Sequence, residues 1–109
     1  MIDNATFQRI VKRIEGYEPD MVRLQIALTA IPALAPENGG DGEMEKAKFL
    51  VGTLRDMGFR GAEGCDAPDG RVSAGLRPNL LARIPGRNPD RTVWVMTHTD
   101  IVPPGGMRL

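Results

Sequence analysis

The chain has 109 residues, of which 41% are hydrophobic and 26% are charged, and its 14 basic residues balance its 14 acidic residues. This length suits one small domain with a single core, spanning residues 1–109. A neutral chain with only 5% aromatic residues offers neither the basic patch nor the stacking surface that nucleic-acid-binding proteins use.

The N-terminus and the cysteine content indicate where the protein resides. Residues 1–6 have neither the basic start nor the apolar core of a signal peptide, and no apolar run approaches the roughly 20 residues of a membrane span. Cys65 is the single cysteine, which excludes an internal disulfide and is compatible with a reducing compartment. The sequence predicts a soluble, cytoplasmic protein that has neither a membrane nor a nucleic acid as its partner.

Apolar residues recur at helical spacing in three segments of the first half of the chain. The spacing predicts helices over residues 5–15, 19–31 and 43–57. Pro32 stops the second helix, and Gly58 follows the third as a left-handed C-terminal stop.

The segment between the second and third helices, residues 32–42, is a loop by composition because it is rich in proline and glycine. Four acidic residues cluster near it: Glu37, Asp41, Glu43 and Glu45. They could be further metal ligands, but capping of the third helix explains Asp41 and Glu43 with fewer assumptions.

The second half of the chain favours strands. Candidates are residues 59–65, which two glycines weaken, residues 79–84, and residues 92–97. The last run lacks alternation, which is typical of a strand covered on both faces, so we expect it to be central in its sheet. Helices followed by strands predict an α/β sandwich whose sheet is incomplete in this chain. Arg71 and Arg77 flank a loop and could meet a carboxylate, although solvated arginines are the rule.

His98, the one histidine, directly follows the last predicted strand, and Asp100 lies two positions later. In an extended backbone, residues i and i+2 point to the same face, so the carboxylate can sit beside the imidazole and orient it as a metal ligand. Ligands collect at the carboxyl ends of strands in open α/β sheets, and Pro103 and Pro104 stiffen the exit. The alternatives are a surface or hydrogen-bonded histidine, and an aspartate that turns the chain.

Three stretches of the sequence are similar to the amino-terminal portion of the zinc-dependent aminoacylase and carboxypeptidase family. This family includes succinyl-diaminopimelate desuccinylase, acetylornithine deacetylase and the glutamate carboxypeptidases. The stretches are residues 28–40, with Ile-Pro and Pro-Glu-Asn-Gly-Gly; residues 77–83, Arg-Pro-Asn-Leu-Leu-Ala-Arg; and residues 98–105, His-Thr-Asp-Ile-Val-Pro-Pro-Gly. They occur in family order over nearly the whole chain, and the last contains the family's histidine, any residue, aspartate signature.

The resemblance implies the first part of a zinc-peptidase-like α/β sandwich, with three helices and then strands. It also implies that His98 ligates one of two zinc ions, with cobalt or manganese as alternatives, and that Asp100 holds the imidazole. In such enzymes the metals activate a bridging water, and a glutamate takes its proton during attack on an amide carbonyl. The substrate would be an N-acyl amino acid or a short peptide.

Several family residues would lie beyond this chain: the bridging aspartate, the adjacent glutamate pair, a further carboxylate and a late histidine. We therefore expect an amino-terminal fragment that is inactive alone and needs the remainder of the catalytic domain. The alternative is a stand-alone, non-catalytic binding or assembly module. Because a central strand without neighbours exposes an unpaired edge, we also expect self-association or pairing with a second chain.

Overall fold

The computed structural model describes residues 1–59 and 63–105. The chain divides into two compact units, Met1–Ile31 and Pro32–Leu109. Within the described residues, three α-helices precede short antiparallel strands, so the architecture is mixed α/β. None of the helices in these residues has the length and apolar character needed to cross a membrane.

The first unit consists of helices α1, Asn4–Glu15, and α2, Glu18–Ala30. Asp3 caps α1, because its carboxylate accepts a hydrogen bond of 2.8 Å from the backbone N–H of Thr6. Pro19 occupies the first turn of α2, where its missing N–H costs nothing. Both helices begin and end within one residue of the predicted positions.

In the second unit, a short 3-10 turn, Pro36–Asn38, precedes helix α3, Met44–Asp56. Gly58 follows α3 with φ of 87°, a left-handed conformation that glycine adopts without strain. The N–H of Gly58 donates to the carbonyl of Arg55, and the N–H of Phe59 donates to the carbonyl of Leu54. The predicted helix and its glycine stop are confirmed.

A β-hairpin follows α3. Its strands are β1, Glu63–Gly64; β2, Ala67–Pro68; β3, Leu76–Arg77; and β4, Leu80–Leu81. The outer pair β1–β4 and the inner pair β2–β3 share one continuous antiparallel register. Between the two pairs, the N–H of Cys65 donates to the carbonyl of Asn79 at 3.0 Å. Pro78 interrupts the ladder because proline has no N–H to donate.

The outcome for the first two predicted strands is partial. Of residues 59–65, the structure places 63–64 in a strand, while 60–62 lie outside the described residues. Of residues 79–84, only Leu80–Leu81 lie in a strand.

The prediction of a buried, central strand at residues 92–97 is wrong. These residues form no strand, and the side chains of Val93, Trp94, Val95 and Met96 are 89%, 67%, 88% and 86% exposed. The physical reason is the absence of neighbours among the described residues, because the hairpin strands pair with one another. The nearest backbone pairing is a parallel bridge between Leu34 and Ile101, whose N–H donates to the carbonyl of Ala33 at 3.0 Å.

Among the residues that the structure describes, the buried apolar ones are few and small. They are Ala33, Ala35, Ala47 and Val72, all in the second unit. Glu43 and Lys46 are buried as well, so the interior of this unit contains charged groups, which need partners there.

Candidate metal-ligand site

His98 and Asp100 are in direct contact. The Nδ1 atom of His98 lies 3.0 Å from Oδ1 of Asp100 and 3.0 Å from its backbone oxygen. Both oxygens can only accept hydrogen bonds, so in the neutral ring Nδ1 carries the hydrogen and donates it. The lone pair then resides on Nε2, which makes no hydrogen bond within the described part of the chain. An imidazole held in this tautomer is ready to bind a metal through Nε2.

The contact lies at the rim of a cleft of about 460 Å³ in the second unit. Three parts of the chain form its walls: helix α3 with Glu43 before it, residues 77–80 of the hairpin, and residues 97–100. The lining residues are Glu43, Leu50, Leu54, Arg77, Pro78, Asn79, Leu80, Thr97, His98, Thr99 and Asp100. The bridge between Leu34 and Ile101 anchors the third wall one residue after Asp100. The His98 side chain is 82% exposed and that of Asp100 is 43% exposed, so the imidazole is open to solvent.

An ion pair between Glu43 and Arg77 joins the other two walls. Nε of Arg77 donates to Oε2 of Glu43 at 2.6 Å, and Nη2 donates to Oε1. The Glu43 side chain is 4% exposed and that of Arg77 is 24% exposed. The bidentate hydrogen bonding to Glu43, together with the negative charge of that carboxylate, raises the pKa of Arg77.

The pair corrects one prediction, because the carboxylate of Glu43 does not cap α3. Glu43 occupies the N-cap position, but no side-chain capping bond forms there. A buried carboxylate gains more from hydrogen bonds to a charged guanidinium than from a hydrogen bond to a neutral backbone N–H at the helix end. Its backbone carbonyl still accepts the N–H of Ala47 at 2.8 Å.

Arg71 continues the charged cluster toward the hairpin tip. Its guanidinium donates to Asp69 at 2.8 and 2.7 Å and to Glu37 at 2.6 Å. The side-chain hydrogen bond from Arg71, helped by its backbone N–H, lowers the pKa of Asp69 to about 2. Nη1 of Arg77 lies 3.8 Å from Asp69, so one charged cluster runs from Glu37 through Arg71, Asp69 and Arg77 to Glu43.

Asp41 is also not a cap of α3. Its Oδ1 accepts the backbone N–H of Ser73 at 2.6 Å, which fixes the glycine-rich loop to the hairpin tip. The loop approaches closely: a Cβ on Gly42 would lie 3.1 Å from Val72, and a Cβ on Gly40 would lie 2.0 Å from the backbone oxygen of Leu34. Gly40 and Gly42 therefore allow close packing, whereas Gly39 has open space and adopts a left-handed φ of 77°.

The sequence allowed Arg71 and Arg77 to meet a carboxylate, but it did not identify the acidic loop residues as their partners. Glu37 pairs with Arg71 and Glu43 pairs with Arg77, and in both cases the partners are 34 residues apart. Two opposite-charge pairs at the same separation were the signal that could have indicated a loop lying along the hairpin. The weaker alternative, that these arginines meet carboxylates, is the one the structure shows.

The donor set for a metal is partial. Within the described residues, no group of three or more His, Cys, Asp or Glu side chains could hold a metal ion. His98 fits as one ligand because of its tautomer and exposure, whereas the carboxylate of Glu43 is committed to Arg77. Comparisons of the chain with protein-family profiles, with curated proteins and with solved structures give no match.

Proposed function

We propose that this chain is the amino-terminal part of a di-zinc metallohydrolase that cleaves the amide bond of N-acyl amino acids or short peptides. His98 is the metal ligand, and Asp100 holds its ring. The observation that supports the proposal is the 3.0 Å contact from Nδ1 of His98 to Asp100, which leaves the Nε2 lone pair at the rim of a cleft. The order of the family-like sequence stretches adds to this support.

The two residues divide the work of binding. Asp100 accepts the Nδ1 hydrogen, which fixes the ring and makes Nε2 a better electron-pair donor. A zinc ion held by His98 and further ligands would supply Lewis acidity and would activate water for attack on an amide carbonyl. The cleft beside the ring, lined by apolar Leu50, Leu54 and Leu80, would receive the acyl part of a substrate.

The remaining ligands and the general base would come from polypeptide outside the described residues. A hydrolytic zinc site needs about three protein ligands, and this cleft supplies one. The described residues are thus expected to be inactive alone. Cobalt or manganese could replace zinc in the complete site.

Zinc titration followed by nuclear magnetic resonance tests the ligand assignment. His98 is the only histidine, so its ring nitrogens give unambiguous signals. We expect Nδ1–H as the tautomer in the free protein, and zinc should shift Nε2. In a Cys65→Ser background, which removes the competing thiol, Asp100→Ala should weaken zinc binding about 10-fold or more. Equal zinc binding by the His98→Gln variant would contradict the assignment.

Activity tests the enzymatic part of the proposal. The natural reading frame should continue into an aspartate and then an adjacent glutamate pair, and the longer product should release amino acids from N-acyl substrates in the presence of zinc. His98→Gln in that longer protein should abolish hydrolysis. A reading frame that lacks these residues would remove the basis of the proposal.

A stand-alone binding or assembly module is the second candidate. The exposed apolar run Val93, Trp94, Val95 and Met96 favours it, because large exposed apolar patches mark interaction sites. Association through this run should persist in the His98→Gln variant and after addition of a chelator. This insensitivity separates the second candidate from a metal-dependent role.

A further inference from the structure

Arg77 and Arg71 differ in how fully their guanidinium groups are used. All three nitrogens of Arg71 donate hydrogen bonds, Nε and Nη2 to Asp69 and Nη1 to Glu37. In Arg77, Nε and Nη2 donate to Glu43, but Nη1 donates to no residue that the structure describes. Its nearest carboxylate oxygen is Oδ2 of Asp69 at 3.8 Å, which is beyond hydrogen-bonding distance.

The guanidinium of Arg77 therefore retains one edge that can hold a carboxylate. A guanidinium has two such edges, and each can donate two parallel hydrogen bonds to the two oxygens of a carboxylate. Glu43 occupies the edge formed by Nε and Nη2. The second edge consists of Nη1 and the remaining hydrogen of Nη2, and it has no acceptor among the described residues.

Glu43 fixes the position of this second edge. The side chain of Glu43 is 4% exposed, and its two hydrogen bonds set the plane of the guanidinium. They also raise the pKa of Arg77, so the group keeps its positive charge. Because the Arg77 side chain is already ordered, a ligand gains hydrogen bonds from it without a further large loss of rotamer freedom.

Arg77 lines the cleft that also has apolar walls. Leu50, Leu54 and Leu80 line the same cleft, and His98 lies at its rim. The Arg77 side chain is 24% exposed, so a molecule from solvent can reach it. Binding clefts commonly combine an apolar lining with a few polar groups that fix the orientation of the ligand. A small molecule with an apolar body and one carboxylate matches this lining.

The charges near Arg77 determine how tightly a carboxylate binds. Asp69 is the nearest competitor, but two hydrogen bonds from Arg71 offset its charge. Asp100 contacts the His98 ring, and its charge repels an anion unless a metal ion offsets it. We therefore expect roughly millimolar binding of a carboxylate by the metal-free chain and tighter binding once a metal is held.

We propose that Arg77 binds the carboxylate of the substrate through its Nη1–Nη2 edge and so selects acyl compounds that carry a free carboxylate. Arg77 is in this sense a residue for binding and specificity. The identity of the substrate rests on the proposed hydrolytic function. The carboxylate site itself uses only described residues, and its detection needs no metal ion.

Titration of the metal-free 109-residue chain with N-acetyl-leucine, followed by nuclear magnetic resonance of the arginine side chains, tests the site. We expect the guanidinium signals of Arg77 to shift, with a dissociation constant in the roughly millimolar range. The comparison ligand is N-acetyl-leucinamide, which has nearly the same shape but no charge. It should bind about 5-fold or more weakly, because it cannot accept two charge-assisted hydrogen bonds.

Three variants separate the second edge from charge alone. Arg77→Lys retains the positive charge but has no second edge, so it should bind N-acetyl-leucine about 5-fold or more weakly. Asp69→Asn removes the competing carboxylate nearest to Nη1 and should bind the acid more tightly. Arg55 is exposed on α3 and does not line the cleft, so Arg55→Lys is the matched control and should bind as the native chain does.

Several results would overturn the assignment. They are equal binding of the acid and the amide, and no shift of the Arg77 signals up to about 100 mM acid. Unchanged or weaker binding by Asp69→Asn would place the carboxylate away from Nη1. If Arg77→Lys does not fold, the comparison of acid with amide on the native chain still decides.

The outcome is distinguishable from that of the proposed zinc site. Loss of carboxylate binding would reject the role of Arg77 and leave zinc binding by His98 unaffected. Failure of zinc to shift Nε2 of His98 would remove the hydrolytic function, while shifts of the Arg77 signals by the acid would still identify a carboxylate-binding cleft.

Discussion

The ion pair between Glu43 and Arg77 should be the most costly polar contact to break. Glu43 is 4% exposed, so removing its partner leaves a buried charge without compensation. Breaking a buried pair from one side costs about 3–5 kcal/mol. Because Arg77 is 24% exposed and water can replace part of its contact, we expect Arg77→Met to lower the free energy of unfolding by about 2–4 kcal/mol.

A double-mutant cycle isolates the contact from other effects of the substitutions. Glu43→Gln keeps the shape of the side chain, and Arg77→Met keeps much of its hydrocarbon stem. The coupling free energy from the two single variants and the double variant should be about 2 kcal/mol, well above that of an exposed pair. Urea denaturation followed by circular dichroism gives each value, provided that the slope with urea concentration stays constant.

Glu45 and Lys48 provide the matched control. Both residues lie on α3, where Nζ of Lys48 is 2.6 Å from Oε1 of Glu45, and the side chains of Glu45 and Lys48 are 73% and 63% exposed. The cycle of Glu45→Gln and Lys48→Met should give a coupling of about 0.3–0.5 kcal/mol. If Arg77→Met does not fold, Arg77→Lys retains the charge but loses the two-pronged geometry and still allows a cycle. A coupling for the buried pair no larger than that of the control would refute the reasoning.

Three further predictions concern the loop, the hairpin tip and the site. Gly40→Ala should destabilise the protein strongly, because the new Cβ would lie 2.0 Å from a backbone oxygen. Gly52 lies within a helix and has open space around its Cβ position, so Gly52→Ala should stabilise the protein by about 0.5–1 kcal/mol. Thermal unfolding measures both effects. The pKa of Asp69 is lowered from 3.8 to about 2 by Arg71, so its carboxylate contributes stability above pH 4 that is lost as the pH falls toward 2. Urea midpoints between pH 5 and 2 should thus fall more steeply for the native chain than for Asp69→Asn, and parallel slopes would contradict this. Asp100→Asn retains an oxygen acceptor and should bind zinc more tightly than Asp100→Ala, as titration would measure; equal affinities would argue against an orienting role.

The helices could be predicted from the sequence because their determinants are local. The apolar spacing of α3 and the glycine at position 58 lie within one segment, and the structure agrees within one residue. The contact between His98 and Asp100 could be predicted for the same reason, since the two residues are only two positions apart in the sequence.

Features that depend on distant partners could not be predicted in this way. The apolar run at residues 92–97 records a tendency to form a strand, but a strand also needs a neighbour, which the run itself does not specify. Asp41 and Glu43 satisfy the local rule for helix caps, yet both serve partners more than 30 residues away. For Glu43 burial decided this competition, because an unpaired carboxylate in the interior costs more than an uncapped amide at a helix end.

The bridge between Leu34 and Ile101 determines how firmly the third wall of the cleft is closed. The described residues 82–100 contain no helix or strand, so closing this segment onto Leu34 costs roughly 3 kcal/mol of chain entropy. The single backbone hydrogen bond of the bridge returns about 0.5–1.5 kcal/mol. The Ile101 amide should therefore exchange its hydrogen with solvent through local opening, much faster than amides in the middle of α3. A molecule that binds in the cleft would slow this exchange, so the Ile101 amide is a built-in reporter of occupancy.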